Sequence, residues 1–211
     1  ERILASFDAR LPFALTGAQR TVGDSLAAAL ATTEPLNRLL QGDVGSGKTV
    51  VALRAMLQVV DAGRQAVLLA PTEVLAAQHA RSLEAMLGPL GRAGELTEDP
   101  EGIATRVTLL TGSLGAKARR QALLDVQSGA AGIVVGTHAV IQQGVAFADL
   151  GLVVVDEQHR FGVHQRDELR SRPGPTTPHV LVMTATPIPR TVALTLYGDL
   201  DTSVLDELPA G

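Results

Sequence analysis

The chain has 211 residues, 45% of them hydrophobic, with a formal net charge of −4 and a pI near 5.7. It is long enough to bury one good core and lacks the whole-surface positive charge of a general nucleic-acid binder. Cysteine is absent, which excludes disulfides and thiolate metal sites, and five aromatics (Phe7, Phe13, Phe147, Phe161 and Tyr197) are too few for the base-stacking platform of an RNA-recognition or OB-fold module. No apolar run of about 18 residues crosses a bilayer, and the opening ERILASFDAR lacks the basic and apolar regions of a signal peptide, so the expected location is cytoplasmic. The chain also begins without methionine, which suggests a piece of a longer protein.

Six short runs rich in Val, Ile or Leu punctuate the sequence, at 36–40, 66–70, 106–110, 132–135, 152–155 and 180–183. After the first, the pattern predicts a helix from Lys48 to Val60, apolar all round except for a stripe of Arg54, Gln58 and Asp61 at helical spacing, with Gly63 suited to stop it. Thr72 is the predicted N-cap of a second helix, PTEVLAAQHARSLEAML, and residues 88–102, rich in glycine, proline and acids, read as a surface loop. A third helix, SLGAKARRQALLDVQSG, pairs a predicted Ser113 cap with a closing Gly129; residues 170–178 form a second loop. Alternating strands and helices predict an α/β fold with a mostly parallel sheet and helices on both faces, built as a single domain.

Between the first strand and the first helix, Gly42, Gly47, Lys48 and Thr49 fit G-x-x-x-x-G-K-[ST], the phosphate-binding P-loop. Lys48 is one of only two lysines in the chain. In such a loop, here Gly42, Asp43, Gly45, Ser46, Gly47, Lys48 and Thr49, glycines let successive backbone N–H groups converge on phosphate oxygens and the helix N-terminus adds its dipole. Lys48 reaches the β and γ phosphates, and the Thr49 hydroxyl can ligate Mg2+. ATP with Mg2+ is the expected ligand.

Asp156 and Glu157 end the apolar run 152–155. Acids at a strand's carboxyl edge face a ligand crevice more readily than they sit buried. Asp156 is expected to hold Mg2+ through water and Glu157 to orient or deprotonate the attacking water. His159 and His164 are five apart with no cysteine near, which disfavours zinc. Thr184 and Thr186 either bond to the turn at Asp156–His159 or cap a helix starting near Pro187 or Pro189; local pattern does not separate the two.

These motifs, together with APTEVLAAQH, LLTGS, VVGTHAVIQ, VVVDEQHRFGVHQR, VMTATPIPRTVAL and YGDLDTSVLDELPAG, cover nearly the whole chain. In their order they resemble the first RecA-like motor lobe of a superfamily-two helicase, of the branch that remodels branched DNA. Residues 94–102 look like an insertion. The resemblance implies that Gln19 reads adenine with Phe13 packing nearby, that Gln158, His159, Thr184 and Thr186 couple nucleotide to DNA, and that Arg160 and Phe161 continue into the coupling loop, although Phe161 can equally be a core anchor. Related transcription-repair coupling and primosomal helicases typically carry a glutamate where Gln158 stands.

It further implies that Pro71 and Thr72, Thr111, Gly112 and Ser113, and Gly136, Thr137 and His138 meet the DNA backbone, which reads no sequence. Lys117, Arg119 and Arg120 are either a small basic patch beside them or ordinary solvated helix charges. On this resemblance residues 1–211 are one motor lobe, the partner is branched or double-stranded DNA, no membrane is involved, and a wedge domain and a second lobe act in cis. The lobe alone is expected to bind ATP but hydrolyse it poorly. A transcription-repair coupling type of double-strand translocase is the runner-up; a small-molecule kinase and an ATP-sensing scaffold are the alternatives from other classes.

Overall fold

Six strands coincide with the six apolar runs: β1 (Asn37–Gly42), β2 (Gln65–Ala70), β3 (Arg106–Leu110), β4 (Ala131–Thr137), β5 (Leu150–Asp156) and β6 (His179–Thr184). The computed structural model describes residues 2–11, 14–32, 37–42, 47–91, 105–139, 145–156, 178–184 and 201–205. By internal contacts the chain forms two compact units, one of Glu1–Pro12 with Met56–Gly151 and one of Phe13–Ala55 with Leu152–Gly211.

In the first unit the strands lie in the order β3-β4-β2, all parallel, with Ala66 beside Ile133 and Leu110 beside Gly136. Every residue of β2 is buried, and so is β4 up to Thr137, which explains why these strands read as continuous apolar runs and not as alternation. Helix α4 (Glu73–Leu87) packs on these strands through Ala76, Ala80, Leu83 and Leu87, an i, i+4, i+7, i+11 stripe. Its cap is the predicted one: the Thr72 hydroxyl accepts the Leu75 N–H at 3.2 Å.

Helix α5 (Ala116–Ser128) packs on β3 and β4 but starts later than predicted. Gly115 is its N-cap and gives no side-chain bond; the Ser113 hydroxyl instead lies 3.1 Å from the Thr111 hydroxyl, so Ser113 belongs to the turn and not to the helix end. Gly129 closes α5 at φ +84°, as expected. The loop expected from residue 88 begins as a short 3₁₀ turn, Gly88–Gly91; its remainder to 102, like residues 170–177, lies outside the described residues.

Helix α1 (Arg2–Arg10), with no counterpart in the sequence reading, buries Ile3 and Phe7. The Asp61 carboxylate caps it, accepting the Ile3 N–H at 2.8 Å and the Leu4 N–H at 3.1 Å. Asp61 closes helix α3 (Lys48–Asp61), whose Arg54, Gln58 and Asp61 are its half-buried stripe, as predicted. Past its end Gly63, at φ +80°, lets the Arg64 N–H reach back to the Val59 carbonyl and its own N–H reach that of Val60.

The second unit orders its strands β5-β6-β1-β7, again parallel, where β7 (Asp201–Leu205) is a strand the sequence reading missed. In this unit β7 pairs with β1 alone, and an edge position does not demand the apolar run that marked the other strands. Helix α2 (Gly17–Leu30) packs against β7 and buries Val22 and Leu26.

Gln65 ties the first unit together. It is 2% exposed; its amide donates to the carbonyls of Val126 at 2.9 Å and Ala131 at 2.8 Å, and its Oε1 accepts the Asp149 N–H at 3.0 Å. Gln65→Leu keeps the volume and strands three backbone groups, so stability should fall by about 3 kcal/mol, read as a lower urea midpoint at unchanged slope.

His138, just past β4, is pushed below the ordinary imidazole value of 6.5 by burial, because desolvation disfavours its charged form. The folded state resists the proton that the unfolded state accepts. The stabilisation is therefore complete above pH 6.5 and is lost as pH falls from there through the lowered folded value. Urea midpoints measured from pH 7.5 to 5 should drop less steeply for His138→Gln than for the parent; parallel profiles would remove His138 from the pH dependence.

Candidate functional site

Parallel strands bring their carboxyl ends to one edge, and in the second unit that edge gathers described residues that the sequence nominates for a nucleotide. Asp156 stands beside Met183, Thr184 beside Gln41, and Gly42 beside Leu205, so β5, β6, β1 and β7 end within a residue or two of each other. The Asp156 carboxylate is half-buried, whereas Gln41 and Thr184 are buried at the strand ends. In an open α/β sheet such an edge is where ligands bind.

β1 ends at Gly42, and α3 begins at Lys48, directly after Gly47. Gly47 sits at φ +82°, a left-handed conformation that a β-carbon would strain. Lys48 then bends its ammonium back to donate to the Gly42 carbonyl, bridging the two ends of the 43–46 segment. Thr49, half-buried, is in the same first turn of α3. A fixed ammonium, a helix N-terminus and a hydroxyl together suit an anion.

Gln19 is held against this turn. It is 1% exposed, and Thr16 and Gln19 form a capping box at the start of α2: the Gln19 N–H donates to the Thr16 hydroxyl at 3.1 Å and the Thr16 N–H to Gln19 Oε1 at 2.8 Å. The Nε2 of Gln19 donates to the Gly47 carbonyl at 3.4 Å. Both ends of the carboxamide are thus engaged inside the protein. The sequence reading passed over Thr16, although T-x-x-Q is itself a cap signature, and passed over Gln41, which no motif marks.

The first unit gathers the remaining candidates at the carboxyl edge of its own strands. Register sets Thr137 beside Ala70 and Gly136 beside both Leu69 and Leu110, so Pro71 and Thr72, Thr111 to Ser113, and Gly136 to His138 all leave neighbouring strand ends. Pro71, Thr72, Gly112 and Ser113 are exposed and Thr111 is buried. Arg119 Nη1 donates to the Thr111 carbonyl at 3.5 Å, while Lys117 and Arg120 are exposed. Glu73, which the sequence reading did not single out, accepts the Gly112 N–H at 2.8 Å.

Phe13, Asp43, Gly45, Ser46, Glu157, Gln158, His159, Arg160, Phe161 and Thr186 lie outside the described residues. His164 lies outside them too; of the rest, Gln19 is on α2, Lys117, Arg119 and Arg120 are on α5, and the others lie at or next to one of the two strand edges.

Known proteins with this arrangement were found by sequence and by shape. Over 203 residues the chain is 64% identical to the ATP-dependent DNA helicase RecG of Mycobacterium tuberculosis, covering 96% of this chain and 27% of that protein. The structure of RecG bound to a three-way DNA junction superposes with a TM-score of 0.80 at 40% identity, over 98% of this chain and 26% of that one. The helicase MrfA bound to DNA and AMPPNP, 20% identical, shares the fold with a TM-score of 0.69, over 100% of this chain and 29% of that one. The fold is thus that of the RecA-like helicase lobes, α/β with parallel strands. The model of the DEAD/DEAH box helicases matches residues 23–195, a span that takes in the ends of β1 to β6, and the chain belongs to that family.

Proposed function

We propose that residues 1–211 are the first RecA-like motor lobe of an ATP-dependent DNA helicase that remodels branched DNA, such as stalled forks and Holliday junctions, in repair and recombination. The observation that carries the reading is the junction between the end of β1 and the start of α3 at a parallel strand edge, with Gly47 left-handed and the Lys48 ammonium bonded to the Gly42 carbonyl. Nucleotide use accompanies membership of a helicase ATPase family. The branched-DNA part is supported by the 64% identity to RecG and by the junction-bound RecG structure.

The chain spans 27% of the length of that RecG. We accordingly assign the wedge domain and the second motor lobe to other parts of the same polypeptide. The proposed substrate puts the protein in the cytoplasm, and among the described residues no helix is long and apolar enough to cross a membrane.

Within this lobe the roles follow from chemistry. Released from the Gly42 carbonyl, Lys48 can reach the β and γ phosphates of ATP, and the first N–H groups of α3 can hold the remaining oxygens. The donor set fits Mg2+, which is usually held by one or two hard oxygen ligands beside phosphates and water: the Thr49 hydroxyl and, through water, the Asp156 carboxylate. Mg2+ bound there would neutralise charge building on the phosphates. Glu157, next after Asp156, would accept the proton of the attacking water. Gln19, if it reads adenine, would do so from a carboxamide that also bonds Thr16 and Gly47, which would place base recognition beside the start of α3. Gln158, His159, Thr184 and Thr186 would pass the change at the phosphates to the DNA-facing residues.

At the other edge, the hydroxyls of Thr72 and Ser113 and the backbone N–H of Gly112 suit phosphate oxygens without regard to base, while Thr111, buried, holds the Ser113 hydroxyl and Gly136 lies buried between β2 and β3. His138, neutral near pH 7, would meet a phosphate through an N–H and not through full charge.

Substitution separates binding from cleavage. In the protein as its gene encodes it, Lys48→Ala should abolish ATP binding by calorimetry, whereas Glu157→Gln should bind ATP and lose both hydrolysis and junction unwinding by at least about a hundredfold. Residues 1–211 alone should bind Mg-ATP yet hydrolyse it about 10³–10⁵-fold more slowly, because an arginine finger from a second lobe is missing. DNA-stimulated turnover of several per second by residues 1–211 would contradict the two-lobe reading.

A further inference from the structure

At the first unit's strand edge the Gly112 N–H carries a bond to an anion that belongs to the protein. Glu73 Oε1 accepts it at 2.8 Å. Glu73 and Gly112 are both exposed, so the contact lies at the surface of the edge and is not part of the core. The approach is close: a β-carbon on residue 112 would stand 3.0 Å from the same carboxylate oxygen and would push it aside by a few tenths of an ångström. The turn beneath is fixed by other means, through the paired hydroxyls of Thr111 and Ser113 and the Arg119 bond to the Thr111 carbonyl. Glu73 itself is the first residue of α4, where an acid is favoured by the helix dipole whether or not it reaches Gly112.

We infer that Glu73 is an internal stand-in for a nucleic-acid phosphate: its carboxylate occupies the Gly112 N–H in the free protein and must swing out for a DNA phosphate to take the same donor. The inference rests on the DNA-backbone reading of this edge and deepens it, because it names the residue that sets how tightly the edge grips. Carboxylate and phosphate are both oxygen anions that seek a backbone N–H, and they cannot share this one. The glutamate stem is flexible and exposed, so it leaves at modest cost, while its charge remains close enough to oppose the incoming phosphate. The result is a weakened, readily reversed grip, which suits a lobe that must release the DNA backbone in every cycle.

The test measures binding of a fluorescein-labelled single-stranded oligonucleotide and a duplex to the whole protein by anisotropy, at one fixed salt concentration. Glu73→Gln, which removes the charge at constant shape, and Glu73→Ala, which frees the N–H outright, should each tighten binding about three- to tenfold on both probes, with at most a small drop in melting temperature from the lost helix-dipole contact. A Glu73 that merely braces the turn would give the opposite sign, with weaker binding by Glu73→Ala. Equal or weaker binding by both variants overturns the inference. Thr111→Val combined with Ser113→Ala distinguishes the two levels: if that pair weakens binding while the Glu73 variants fail to tighten it, only the role of Glu73 falls. If that pair leaves DNA binding untouched, the backbone reading of this edge falls and the inference with it.

Discussion

A parallel strand buried on both faces offers nowhere along its length for a polar side chain to meet water, and this constraint organises both units. Through β2 and β6 every position is buried, and the middles of β4 and β5 are wholly Val, Ile, Leu, Ala or Gly. A carboxylate or hydroxyl in mid-strand would bear the full cost of desolvation. The chemistry is therefore pushed to the last residue of each strand or just beyond it: Gln41, Asp156 and Thr184 in one unit, Thr111, Thr137 and His138 in the other. Because strands within a unit are parallel and in register, these ends coincide without any side chain being required to bring them together.

The strand-to-helix junctions are equally regular. α3 starts at Lys48 after β1, α4 at Glu73 after β2, and α5 at Ala116 after β3. Each junction leaves the first backbone N–H groups of a helix near a strand's carboxyl end, where an anion can use them. The junctions differ in how those donors are kept in order. At α4 a threonine hydroxyl caps the helix; at α5 a glycine starts it and the turn before it is braced by hydroxyls; before α3 a left-handed glycine sets the turn and a buried glutamine from α2 holds that glycine's carbonyl.

Much of this was legible in the sequence because the physics involved is local. Apolar runs fixed all six strands from β1 to β6, Gly63 and Gly129 marked helix ends through their need for positive φ, and the spacing around Lys48 was enough to name the turn. The failures are equally physical. β7 escaped because an edge strand such as DTSVL needs no continuous apolar run, and α1 because its capping carboxylate, Asp61, lies far along the chain. Ser113 was misread as a helix cap because a serine beside a helical pattern fits a cap and a turn equally well; only the distance to Thr111 decides. Glu73 sits inside APTEVLAAQH without being marked by it, Gln41 lies just outside the glycine motif, and the neighbours of both become visible only once strands are in register.

Charge explains why the two edges are built from such different donors. A chain with a net charge of −4 and two lysines cannot hold a polyanion by a general field, so each anion must be met at short range. For a compact triphosphate, one lysine placed at a helix N-terminus is sufficient, and Lys48 is committed there. For an extended backbone the same device would have to be repeated at every phosphate, and the cations near the first unit's edge do not allow it: Arg119 is engaged with the Thr111 carbonyl, and Lys117 and Arg120 lie exposed on α5. Neutral N–H and hydroxyl donors remain. Bonds of that kind are individually weak and exchange readily with water or with a nearby carboxylate. On the proposed reading, a lobe that holds ATP firmly and DNA loosely would draw that difference in strength from composition, before any conformational change is invoked.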